Sequence, residues 1–118
     1  MPKSLVGEYR VAGIDGEPLD ADFGIAVSIS PETIGYEPRC LGFAWTYTYT
    51  EGRIATAPDP RHGPQRGEDG SLVSCLPAVG PEYRALARAF DAVEQVRRTP
   101  ANALEFSGGG HSVTLFSQ

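Results

Sequence analysis

Phe43-Ala44-Trp45-Thr46-Tyr47-Thr48-Tyr49-Thr50 alternates without a break between two kinds of side chain. Phe43, Trp45, Tyr47 and Tyr49 fall on one face, while Ala44 and three threonines fall on the other. A period of two, in residues almost all aromatic or β-branched, predicts a strand with one face turned to a core. Glu51-Gly52 follows directly and residues 53–56 resume an extended pattern, so this strand belongs to a hairpin.

Working back towards the start, residues 25–29 place Ile25, Val27 and Ile29 on one face, a second clean strand. Pro31-Glu32 offers a turn and residues 33–36 a short strand between these two. Residues 5–12 read as a half-buried strand with Leu5, Tyr9 and Val11 on one face, ending at a turn centred on Asp15-Gly16.

Downstream, residues 58–72 hold Pro58, Pro60 and Pro64 with Gly63, Gly67 and Gly70, and almost nothing to bury. They are expected to form a mobile surface loop. Pro81 and Glu82 then suit a helix N-terminus. Tyr83, Leu86, Phe90, Val93 and Val96 recur at spacings of three and four, predicting one helix whose last turn holds Arg97 and Arg98 and which Pro100 stops. Burying that stripe contributes about 1.5–3 kcal/mol per large side chain. Residues 103–106 and 112–116 close the chain as two strands joined by Ser107-Gly108-Gly109-Gly110-His111.

The expectation is an α+β fold over residues 1–118, one domain of six or seven antiparallel strands with the helix laid across the sheet as a lid. A chain of 118 residues is long enough to bury one core without a metal. Its net charge of −5 argues against nucleic acid, which needs a basic surface. No apolar run approaches the roughly 18 residues of a membrane span.

Cys40 and Cys75 bracket the proline- and glycine-rich stretch. A disulfide between them would stabilise the fold by about 3–4 kcal/mol on the chain-entropy model. Two separately buried thiols are the alternative. There is no C-x-x-C pair for redox work, and the ligands for a metal site are too few. A disulfide fits an oxidising compartment. The opening residues lack the hydrophobic region of a secretory signal. Either the protein is cytoplasmic with free thiols, or a leader or lipid anchor has been removed ahead of it, and the cysteine pair favours export.

The chain resembles the META domain family, which includes the bacterial HslJ-type lipoproteins. The family opening G-x-[WY]-x-[VL]-x-x-[IL]-[DN]-G-x-P matches the run from Gly7 through Tyr9, Val11, Ile14, Asp15 and Gly16 to Pro18. The family's G-C-N-x-x-x-G-x-Y segment corresponds to the stretch around Cys40 and Tyr47, without its usual flanking glycine and asparagine. Val73-Ser74-Cys75-Leu76-Pro77 resembles a second family segment, M-A-C-P, and the closing strands end in leucine-phenylalanine at Leu115-Phe116. The resemblance implies a curved, barrel-like antiparallel sheet packed on one helix and a periplasmic or envelope setting. It carries over no catalytic residue and no cofactor.

The residues themselves offer little reactive chemistry. His62 falls in the mobile stretch, and His111 sits beside Ser107 and Ser112 in a hairpin where such groups are usually solvated. The triple glycine leads into a strand rather than the helix a phosphate cradle needs. Arg39, Arg53, Arg61 and Arg66, if clustered in space, would receive an acidic partner. The aromatic ladder is the better candidate. Trp45, Tyr47 and Tyr49, joined by Tyr9 and Tyr36, are either one core-facing side or a ligand groove with tyrosine hydroxyls as polar handles. If the helix covers part of that face only, the uncovered aromatics form the site. The expected role is a non-enzymatic envelope or periplasmic domain that acts in stress tolerance or as a binding module for an unknown small molecule or protein, possessing neither cofactor nor metal. The alternatives, in order, are a lipocalin-like carrier with a cavity lined by Trp45, Tyr47 and Phe106, a protease inhibitor with an inserted N-terminal arm, and an enzyme that would hold His111 against a nucleophile in a cleft.

Overall fold

The computed structural model describes residues 4–19, 24–37, 39–60, 65–66, 72–73 and 80–117. In chain order the strands are β1 (Gly7–Ile14), β2 (Glu17–Pro18), β3 (Ala26–Ile29), β4 (Thr33–Gly35), β5 (Ala44–Thr50) and β6 (Arg53–Pro58). A two-residue pair follows, β7 (Gln65–Arg66) with β8 (Leu72–Val73), then the helix α1 (Pro81–Ala92). The chain closes with β9 (Gln95–Arg98), β10 (Leu104–Gly108) and β11 (His111–Ser117).

Strands β1, β3, β4, β5, β6, β9, β10 and β11 pair antiparallel in that order, and β11 pairs back onto β1. The result is a closed eight-stranded up-and-down barrel, with β2 added beside the end of β1. Closure removes the edges that an open sheet would expose. Glu51 and Gly52 both have positive φ, 48° and 83°, in the two-residue turn between β5 and β6. That backbone suits a tight hairpin between right-twisted strands.

Inward positions follow the period of two. Val27 and Ile29, Trp45, Val96, Leu104 and Phe106, and Val113 and Leu115 all turn inward, and all are buried. The expected strands are present, with ends shifted by a residue or two. Two of them run further into the final hairpin than the glycines suggested, leaving only Gly109 and Gly110 as the turn.

The helix is shorter than its stripe predicted. It ends at Ala92, where Val93 takes an extended conformation, φ −63° and ψ 139°. Residues 95–98, expected in its last turns, form β9 instead. Val96 keeps its buried place, but as a strand residue paired with Phe106. Arg97 lies across from Glu105, with Nε 2.7 Å from Oε1, rather than at a helix C-terminus. Pairing with β10 satisfies the backbone of this segment along its length, which a frayed helix end would not. The reversal is tight: a side chain at Gly108 would run into the Ala92 carbonyl and the Glu94 amide. The extra strand brings the barrel to eight.

Candidate functional site

The aromatic ladder divides between two ends of the barrel. At one end α1 acts as a plug. Leu86, Ala89 and Phe90 are buried, and Phe90 sets its ring 5.2 Å from Trp45 and 5.7 Å from Phe106. Three barrel side chains hold the helix there. Trp45 Nε1 donates to Asp91 Oδ1 at 2.7 Å, the Tyr36 hydroxyl donates to the Tyr83 carbonyl at 2.8 Å, and Thr56 Oγ1 donates to the Phe90 carbonyl at 2.7 Å. The last satisfies a carbonyl in the final helical turn, which has no partner within the helix. Tyr36 also stacks on Phe43 with ring centroids 4.7 Å apart. Tyr36 and Trp45 are therefore core under the helix, with their polar atoms already engaged.

The opposite end is closed differently. Leu5, 1% exposed, turns in from the N-terminal segment as a stopper, and its carbonyl accepts the Tyr9 hydroxyl at 2.7 Å. Tyr47 and Tyr49 are half-buried at this end, and the Tyr47 hydroxyl donates to the Ser30 carbonyl at 2.7 Å. Outside the stopper lies an open cleft of about 590 Å³ lined by Leu5, Val6, Pro31, Glu32, Tyr47 and Tyr49. Val6 is 50% exposed there. Of the five aromatics, the structure brings Tyr47 and Tyr49 to this cleft and places Tyr9, Tyr36 and Trp45 in the core.

Burial raises the hydroxyl pKa of Tyr36, with the Asp91 carboxylate adding to the effect and Arg84 opposing it. Burial likewise raises Tyr9, partly offset by Arg98, and raises Tyr47, where neighbouring Tyr9 adds. These hydroxyls act as neutral donors.

His111 Nδ1 faces the Asp15 carboxylate, 3.1 Å from Oδ1, and the Ser112 amide donates to the same oxygen at 3.0 Å. The group beside the imidazole is thus a carboxylate rather than a nucleophile, and it ties the β1–β2 turn to the start of β11. Ser107 and Ser112 are register partners across the final hairpin. Arg39 and Arg53, the two of the four arginines whose side chains are described, sit in separate clefts and do not converge. His62, Arg61, Cys75 and most of the proline- and glycine-rich stretch lie outside the described residues, as do the side chains of Cys40 and Arg66. The expected Cys40–Cys75 disulfide therefore falls outside them too.

Sequence reasoning missed Leu5 as a stopper, Val6 and Pro31 as cleft residues, and Asp91 as the acceptor for Trp45. Each depends on a partner far along the chain, and no local pattern announces it. Among the described residues, no group of three His, Cys, Asp or Glu side chains could hold a metal ion. No described helix is long and apolar enough to cross a membrane. Comparison with known proteins finds no matching family model, no similar curated protein and no similar solved structure.

Proposed function

We propose that this chain is a non-enzymatic binding domain of the bacterial envelope or periplasm, of the META or HslJ-like kind. Its recognition surface is the cleft beside Tyr47 and Tyr49, and its ligand is a small apolar molecule. The observation that carries this reading is the exposure of Val6 beside two half-buried tyrosines, at the end of the barrel that the helix does not cover. Aromatic rings with polar tips at an accessible apolar surface suit a ligand of that class. The enclosed-carrier alternative fits less well, because Phe90 occupies the space between Trp45 and Phe106.

The neutral fluorophore N-phenyl-1-naphthylamine tests the cleft. It is expected to bind the full chain with enhanced emission, and Tyr49→Ala to weaken binding about 5–30-fold, the equivalent of roughly 1–2 kcal/mol. Unchanged binding in that variant rejects the cleft as the site.

The envelope setting has its own test, since it leans on the cysteine pair. Chain made under oxidising conditions is expected to take up alkylating reagent at Cys40 and Cys75 only after reduction, as read by intact mass. Two labels without reduction would remove the disulfide and the main argument for export with it.

A further inference from the structure

A second surface, on the outside of the barrel wall, goes beyond the reading above and does not depend on it. After β4 the chain forms a 3-10 turn at Arg39–Leu41. This turn lays the Arg39 side chain back over the outer face of Gly35. A Cβ at Gly35 would sit 3.2 Å from Arg39 Cζ, so glycine there makes room for the guanidinium. Just ahead of the neighbouring strand β3, Gly24 makes room for the guanidinium of Arg10 in the same way. A third arginine, Arg84, lies over the Phe43 ring at 5.5 Å.

Arg39 Nε is buried yet has no hydrogen-bond acceptor among the described residues. Glu37 Oε1 is 3.4 Å away, close enough for ionic attraction but outside hydrogen-bond geometry. The Glu37 carboxylate accepts the Arg39 backbone amide instead, at 3.3 Å through Oε2, and the Glu37 side chain is 82% exposed. Nearby, Glu8 is occupied by the Ser28 hydroxyl at 2.6 Å. A buried guanidinium N–H without an acceptor is costly, and a ligand oxygen would remove that cost.

Beside Arg39 opens a cleft of about 300 Å³ walled by Gly24, Ile25, Ala26, Tyr36 and Tyr83. We infer that this cleft binds a small carboxylate with an apolar body. The planar Nε edge of Arg39 takes the two carboxylate oxygens, exposed Ala26 and the half-buried Tyr83 ring take the body, and Arg10 adds positive potential at the rim. A guanidinium edge matches a planar carboxylate in a bidentate way that an ammonium cannot. Glu37 is the competitor that a ligand must displace from the guanidinium.

The test uses the ¹⁵N-labelled full chain, following the Arg39 Nε–H and Gly35 amide signals during titration with phenylacetate. Saturable shifts are expected in the low millimolar range, with none from the neutral isostere 2-phenylethanol. Glu37→Gln is expected to tighten binding about threefold or more by removing the competing charge, and Arg39→Lys to weaken it about tenfold or more. The proposal is overturned by an absence of shifts at about 50 mM, some 1.8 kcal/mol of binding free energy. Equal shifts with the alcohol, or tighter binding of inorganic phosphate, overturn it as well. If Arg39→Lys does not fold, Glu37→Gln decides alone: unchanged or weaker binding rejects the site.

Discussion

Phe90→Ala is expected to lower the unfolding free energy by about 3–5 kcal/mol. The ring is fully buried at the point where helix and barrel meet, against Trp45, Phe106 and Tyr36. Truncating it loses the transfer free energy of the ring and leaves a void that eight hydrogen-bonded strands cannot readily close over. A domain of this size is stable by roughly 5–15 kcal/mol in all, so the variant should retain only part of its margin. Guanidinium denaturation followed by the fluorescence of Trp45, the single tryptophan, measures the loss directly. Phe116, 40% exposed on β11, supplies the control, since its truncation should cost well under about 1 kcal/mol. A loss below about 1 kcal/mol at Phe90 would mean that the helix does not plug the barrel.

Alkaline pH is expected to unfold the protein, and Tyr36 to account for a definable part of that. The fold holds its hydroxyl neutral by burial, reinforced by Asp91, so its pKa is raised above the ordinary value near 10. In the unfolded chain the same hydroxyl ionises from about pH 10 upward. Over that range the unfolded state binds fewer protons than the folded one, so stability falls as pH rises. The slope from this one buried group is about 1.4 kcal/mol per pH unit above pH 10, and the contribution is fully retained below it. Tyr9 and Tyr47, also raised by burial, act in the same direction. Denaturation midpoints for the wild type and Tyr36→Phe at pH 8, 10 and 11 check the expectation. The variant starts lower, having lost its hydrogen bond to the Tyr83 carbonyl, but its decline above pH 10 should be shallower. Parallel declines would show that Tyr36 ionises in the folded state as freely as in the unfolded one.

The aromatic ladder illustrates how much of the candidate site was legible. Its one-sidedness could be read from the alternation of residues 43–50, because side chains on a strand must point to opposite faces in turn. Which rungs became core could not. Trp45 is covered because Phe90, 45 positions later in the chain, lands on it, while Tyr49 is left half-exposed because the helix spans only one end of the barrel. The Arg39 cleft was less legible still. Its seat on Gly35 and its distance from Arg53 follow from how β4 and the 3-10 turn fold back, not from the spacing of arginines.

The strand phases, the turns at Asp15-Gly16 and Glu51-Gly52, and the helix start at Pro81 were all written locally. Each arises from backbone sterics or from a period of two within a few residues. The helix end was not. Val93 and Val96 stand three apart, a spacing that continues the helical stripe and also allows an inward strand position, so short-range pattern leaves both conformations open. Hydrogen bonding to β10 settles residues 95–98 as a strand. Barrel closure is of the same kind, since β11 pairs with β1 across almost the whole length of the chain. Local sterics act between neighbours and can be read along a sequence; backbone pairing and burial act between segments that only the folded chain brings together.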